Sequence, residues 1–74
     1  MTDPKIKFGD AIRKRRIEIG KSQELLSQET GLHRTYISEV ERGKRNISLV
    51  NMIILFSALE ITPSTFFDKY YQGE

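Results

Sequence analysis

Apolar side chains in this chain recur every three to four positions and nowhere alternate convincingly, so the pattern predicts helices and no strands. Phe8, Ala11, Ile12 and Ile19 share one face of a first helix expected over residues 8–19, with Gly20 as its stop. Ser22 caps a short second helix, about 23–30, whose Leu25 and Leu26 point inward and which Gly31 closes. A third helix starts almost at once, at His33 or Arg34, and runs to Arg42 with Tyr36, Ile37 and Val40 on its apolar side and Gly43 as terminator. The polar link "KRNIS" leads to a fourth helix, about 48–59, capped by Asn46 or Ser48; Thr62 and Pro63 open a fifth, about 63–71. The expected fold class is all-α, one compact five-helix domain over residues 1–74.

Leu49, Val50, Met52, Ile53, Ile54, Leu55, Phe56 and Leu59 leave the fourth helix almost no polar face. A helix apolar on all sides needs cover on all sides, and a chain this short has too few elements to provide it. In the fifth helix Phe66 pairs with Tyr70 and Phe67 with Tyr71 at i, i+4. The two helices therefore read as core plus dimer interface, with Met52, Ile53, Phe56, Phe67 and Tyr70 as interface residues. The simpler alternative is that both only close one core. Counting elements favours the dimer, since a symmetric two-fold is the commonest way to hide such a face.

Length points the same way. Seventy-four residues bury a low fraction of their surface, so a second stabilising device is expected. There is no cysteine, and the lone His33 has no evident carboxylate partners, so neither a disulfide framework nor a metal site is expected. Oligomerisation is the remaining candidate. The longest mostly apolar run, 52–59, falls well short of the roughly 20 residues that span a bilayer, and "MTDPKIKFGD" lacks the apolar core of a signal peptide. A soluble cytoplasmic protein without a membrane partner is expected.

Net charge is only +2, but its distribution is informative. Residues 1–46 hold 11 Lys/Arg against 7 Asp/Glu, whereas residues 47–74 hold 1 against 3. A basic front joined to a non-basic tail suits a polyanion-binding half with a partner half of another task, although any single basic residue reads equally well as solvated surface. Two short helices joined by a brief turn containing Gly31 have the sequence form of a helix-turn-helix, whose second helix is the reader. Spacing alone also accepts other helical hairpins.

The segments "IRKRRIEIGKSQELLSQETGL", "ISEVERGKRN" and "ALEITPSTFF" stand in the order expected of the lambda-repressor/Cro-type (XRE) helix-turn-helix family, which the chain resembles from Ile12 to about Phe67. Within it, "GLHRTYISEVERGKRNISL" resembles most closely the controller proteins of bacterial restriction–modification systems. The resemblance implies that Arg34 and Thr35 read base edges, Arg through a bidentate fork to guanine and Thr through hydroxyl and methyl, with His33 and Ser38 beside them. It implies phosphate contacts from Ser22 and Gln23 at the start of the second helix, where free N–H groups and the dipole favour an anion. Tyr36, Arg42, Lys44, Arg45 and Asn46 fall at its other backbone-contacting positions. For Ser22 an ordinary cap, and for Tyr36 half-buried packing, are the plainer readings.

The same resemblance pairs Arg16 with Glu41 as a structural ion bridge between the first and third helices. Two departures stand out: Ser27, where a small alanine is usual, is expected to blur the packing of helices two and three, and Glu60 stands where a glycine often ends the fourth helix. The function implied is that of a sequence-specific DNA-binding transcriptional regulator, homodimeric on a roughly palindromic double-stranded operator, which controls its own and the endonuclease gene. RNA polymerase is a further expected partner and the bacterial nucleoid the expected location. Competing readings are a phage-type repressor, an antitoxin, which usually needs a partner-binding extension absent after Tyr71, and an interaction module on the same scaffold. No nucleophile–base constellation, phosphate loop or cofactor motif supports an enzyme, so no catalytic residue, cofactor or metal is assigned.

Overall fold

The computed structural model of the protein describes residues 3–71; residues 1–2 and 72–74 of the expected domain lie outside them. Five helices follow in order: α1 Pro4–Glu18, α2 Gln23–Thr30, α3 Arg34–Glu41, α4 Leu49–Ala58 and α5 Pro63–Lys69. The fold is all-α. α1 begins four residues before the expected start at Phe8, because Asp3 and Pro4 form an N-cap and first-position pair: the Asp3 carboxylate accepts from Lys5 N at 2.9 Å. That bond holds the Asp3 carboxyl below its ordinary pKa. The other caps are local too, with Ser22 accepting from Leu25 N, Ser48 from Asn51 N and Thr62 from Thr65 N. Ser48, not Asn46, therefore caps α4.

Phe8, Ala11, Ile12, Leu26, Ile37, Val40, Leu55, Phe56, Leu59 and Phe66 form one buried core. Phe56 is corrected by this arrangement: expected in the dimer interface, it is 3% exposed and stacks tilted on Phe66 with ring centroids 4.8 Å apart. Tyr70 is half-buried, packed against the edge of this core. Its hydroxyl lies 3.4 Å from Arg15 Nη1 and donates to Glu18 on α1, holding that carboxyl below the usual range. α4 is thus two-faced, with Leu55, Phe56 and Leu59 in the chain's own core while Leu49, Val50 and Ile53 stand in solvent.

α1 crosses α3 at Gly9. A Cβ added there would lie 2.1 Å from Val40 O and 2.8 Å from Glu41 O, so only glycine lets the two backbones approach this closely. At the far end of α4 the chain turns through Glu60 in the left-handed region, φ +57, where a side chain is unfavourable. Two cations hold this exit: Arg15 donates to Leu59 O at 2.9 Å and Glu60 O at 3.0 Å, and Lys21 Nζ donates to Ala58 O at 2.7 Å. They satisfy the carbonyls a helix end leaves unpaired and oppose its negative dipole end. Lys21 also meets Glu29 at 2.7 Å, which raises its pKa above the lysine norm. Among the described residues no single helix is long and apolar enough to cross a membrane.

Two substitutions should therefore move stability in opposite directions. Gly9→Ala forces α1 and α3 apart and is expected to lose about 2 kcal/mol or more, lowering the melting temperature by roughly 10 °C. Glu60→Gly relieves the left-handed strain while the cations still reach the backbone carbonyls, and is expected to add up to about 1 kcal/mol. Thermal denaturation followed by circular dichroism reads both; an Ala variant as stable as wild type would remove the crossing argument.

Candidate nucleic-acid interface

α2 and α3 are joined by Gly31, Leu32 and His33, with Gly31 at φ +77 closing α2. Three hydrogen bonds stitch this turn. Thr30 Oγ1 donates to Leu26 O at 2.8 Å and accepts from Leu32 N at 3.1 Å, and Ser27 Oγ donates to Leu32 O at 2.5 Å. The serine that stands in place of a small alanine thus ties the turn down instead of blurring it. Leu26, Ile37 and Val40 anchor the pair of helices beneath.

Glu41 fixes the direction of α3. Its side chain is only 2% exposed, and it accepts from Arg16 Nε at 2.6 Å, Arg16 Nη2 at 3.0 Å and Gln23 Nε2 at 3.0 Å. Arg16 also donates to Lys21 O at 2.8 Å. One carboxylate therefore joins α1, α2 and α3 with its charge paired in the bidentate geometry that suits guanidinium. Gln23 thus uses its side-chain amide on Glu41, which leaves the backbone N–H groups at the start of α2 as what this end can offer an anion.

This frame leaves the N-terminal end of α3 outward. His33, Arg34 and Thr35 are exposed, and Ser38, one turn on from Arg34, is half-buried. His33 is the N-cap of α3 without a side-chain cap bond, and among the described residues the Arg34 and Thr35 side chains have no hydrogen-bond or ion-pair partner. Ser22 lies exposed at the mouth of α2 with its hydroxyl on Leu25 N. Beyond α3, Arg42 is exposed with Nε 3.3 Å from Ser38 O, and Lys44, Arg45 and Asn46 lie exposed in the link to α4. Tyr36 is half-buried at this flank. Arg45 stacks over its ring at 4.8 Å and pairs with Glu39 at 3.6 Å, while Asn51 of α4 donates to its hydroxyl at 3.0 Å.

A short helix presents unpaired polar groups at one end, flanked by basic side chains and set rigidly on two supporting helices. That arrangement can enter a major groove and grip the phosphates on either side. Two residues of this region escape a reading of the sequence, Gly9 and Asn51. Each had a signal, Gly9 as a glycine inside a helical pattern and Asn51 as the single polar side chain in the run 49–56.

The chain matches the helix-turn-helix family over residues 12–66. It is 46% identical over 68 residues to the control protein C.MunI of a Mycoplasma species, covering 90% of this chain and 92% of that protein. Its fold is similar to that of the restriction–modification controller protein C.AhdI from Aeromonas hydrophila, with 48% identity, a TM-score of 0.80, and coverage of 84% of this chain and 94% of that one. It is similar also to the controller protein C.Esp1396I, solved as a tetramer in complex with its natural 35 base-pair operator, with 34% identity, a TM-score of 0.84, and coverage of 92% and 90%. An outward reader helix braced on two others, in a chain so similar to these proteins along nearly its whole length, places it among sequence-specific DNA-binding transcriptional regulators: the chain belongs to the helix-turn-helix family, with the restriction–modification controller proteins.

Proposed function

We propose that the protein acts as a homodimer on a roughly palindromic operator and sets the expression of its own gene and of a restriction endonuclease. The observation that carries this reading is the exposed trio His33, Arg34 and Thr35 on a helix whose direction the buried Glu41 carboxylate fixes. Arg34 forks onto guanine O6 and N7, Thr35 offers hydroxyl and methyl, and His33 and Ser38 meet neighbouring edges or sugar. Ser22 and the α2 N-terminus set register on one phosphate strand; Tyr36, Arg42, Lys44, Arg45 and Asn46 hold the backbone on the other flank.

The second copy seats on the outer face of α4. Leu49 is 72%, Val50 67% and Ile53 49% exposed, and half-buried Met52 and exposed Phe67 continue this apolar surface into a groove of about 270 Å³ lined also by Phe8, Ile47 and Tyr71. A two-fold through it puts reader helices about 34 Å apart, one turn of B-DNA. The tetrameric state of C.Esp1396I on its operator supports two such dimers side by side. The nucleoid of a bacterial cytoplasm is the site of action, and RNA polymerase the partner at promoters it activates.

Binding to a fragment from upstream of the chain's own gene, measured by fluorescence anisotropy against a shuffled duplex, tests the assignment. Arg34→Ala is expected to lose about 1–3 kcal/mol of discrimination while weak non-specific binding persists. Ser22→Ala should instead weaken both duplexes alike, and wild-type affinity should fall steeply between low and moderate salt. An Arg34→Ala protein that still selects the native fragment as wild type does sinks the reader assignment. Val50→Asp, at an exposed position, should leave the helical spectrum intact and halve the mass seen by sedimentation; an unchanged mass would move the interface elsewhere.

A further inference from the structure

Asn51 is the one polar side chain in the apolar run 49–56, and it sits half-buried beside the exposed face of α4. Its amide nitrogen donates to the Tyr36 hydroxyl oxygen at 3.0 Å. A phenol carries one proton and can accept on its oxygen at the same time. With that oxygen accepting from Asn51, the Tyr36 proton must be donated in another direction. The ring itself is held from the side by Arg45, stacked at 4.8 Å, and Arg45 in turn is steadied by Glu39 at 3.6 Å. Two donors, the Tyr36 O–H and the Arg45 guanidinium, are thereby set next to each other on the basic flank of the reader helix.

We propose that Asn51 is a positioning residue for DNA binding: by donating to Tyr36 it turns the tyrosine proton toward a backbone phosphate and ties the reader helix to the helix that carries the self-association face. The inference rests on the reading of Tyr36 as a phosphate contact. Asn51 itself touches no DNA in this scheme. It acts through the hydroxyl, and its effect must vanish when the hydroxyl is removed. A merely structural asparagine would weaken binding whether or not Tyr36 kept its oxygen.

The test is a double-mutant cycle. Wild type, Asn51→Ala, Tyr36→Phe and the double variant are titrated onto the native upstream fragment and onto a shuffled duplex, at one salt concentration and at protein concentrations where sedimentation shows each to be dimeric. Each single change is expected to weaken binding by about tenfold on both duplexes, as for loss of one hydrogen bond to a charged group, and the double variant to bind no more weakly than Tyr36→Phe alone. Losses that multiply, or an Asn51→Ala or Tyr36→Phe protein that binds like wild type, overturn the positioning role while leaving the DNA-reading function in place. A wild-type protein that does not prefer the native fragment overturns that function, and this inference with it. Should Asn51→Ala fail to fold by circular dichroism, Asn51→Asp replaces it. Its carboxylate takes the Tyr36 proton inward, so its loss must be larger with Tyr36 present than in the Tyr36→Phe background; equal losses overturn the proposal.

Discussion

The buried carboxylate of Glu41 is the fixed point of this molecule. An eight-residue helix such as α3 has too few internal hydrogen bonds to persist alone, let alone to keep a direction, so its orientation must come from outside itself. Glu41 provides it by accepting from Arg16 on α1 and Gln23 on α2 at once. The net stabilisation from such a pair is small after desolvation, but neither partner can leave without stranding the other's charge, so the pair works mainly as a geometric restraint. Gly9 complements it sterically. The glycine lets α1 lie against the backbone carbonyls of Val40 and Glu41, which brings Arg16, two turns along α1, into reach of the carboxylate.

α4 carries the opposite burden. Its inner face supplies Leu55, Phe56 and Leu59 to a core that α5 completes through Phe66, while its outer face exposes Leu49, Val50 and Ile53. A small domain gains stability from a helix used on both sides, provided that another surface covers the second side. Both ends of α4 are also tied to the preceding helices and turns. Asn51 reaches Tyr36 near the N-terminal end, and Arg15 and Lys21 collect the carbonyls at the C-terminal end. Those two cations let the chain leave α4 through a glutamate in a conformation that glycine usually takes.

Much of this was legible in the residues themselves. The apolar spacing in segments such as 34–41 and 49–58 is a property of consecutive positions, and helical periodicity reads it directly; so do Ser22, Thr62 and the glycines that end helices. The start of α1 was less visible because the signal for it, Asp3–Pro4, precedes the first buried apolar residue by four positions, and exposed Ile6 contributes nothing to a core pattern. For the site, the candidate reader residues could be named from the motif, but Gln23 shows the limit. Its side-chain amide meets the carboxylate of Glu41, eighteen residues on, and nothing at the start of α2 announces that partner.

By itself, then, the sequence determined the all-α class and the five helices, because periodicity, caps and turns are set by neighbours along the chain; the helix-turn-helix among them came from the family resemblance, since spacing alone fits other helical hairpins too. Only the tertiary structure decided which face of α4 is core, that Phe56 turns inward, that α1 and α3 meet at Gly9 and that Asn51 grips Tyr36. A helix that is apolar on every side carries no internal record of which side is covered, and a polar side chain none of which distant partner it will meet. Those choices are made when helices pack, by the volume available between backbones and by the need of each buried donor or charge to find its complement.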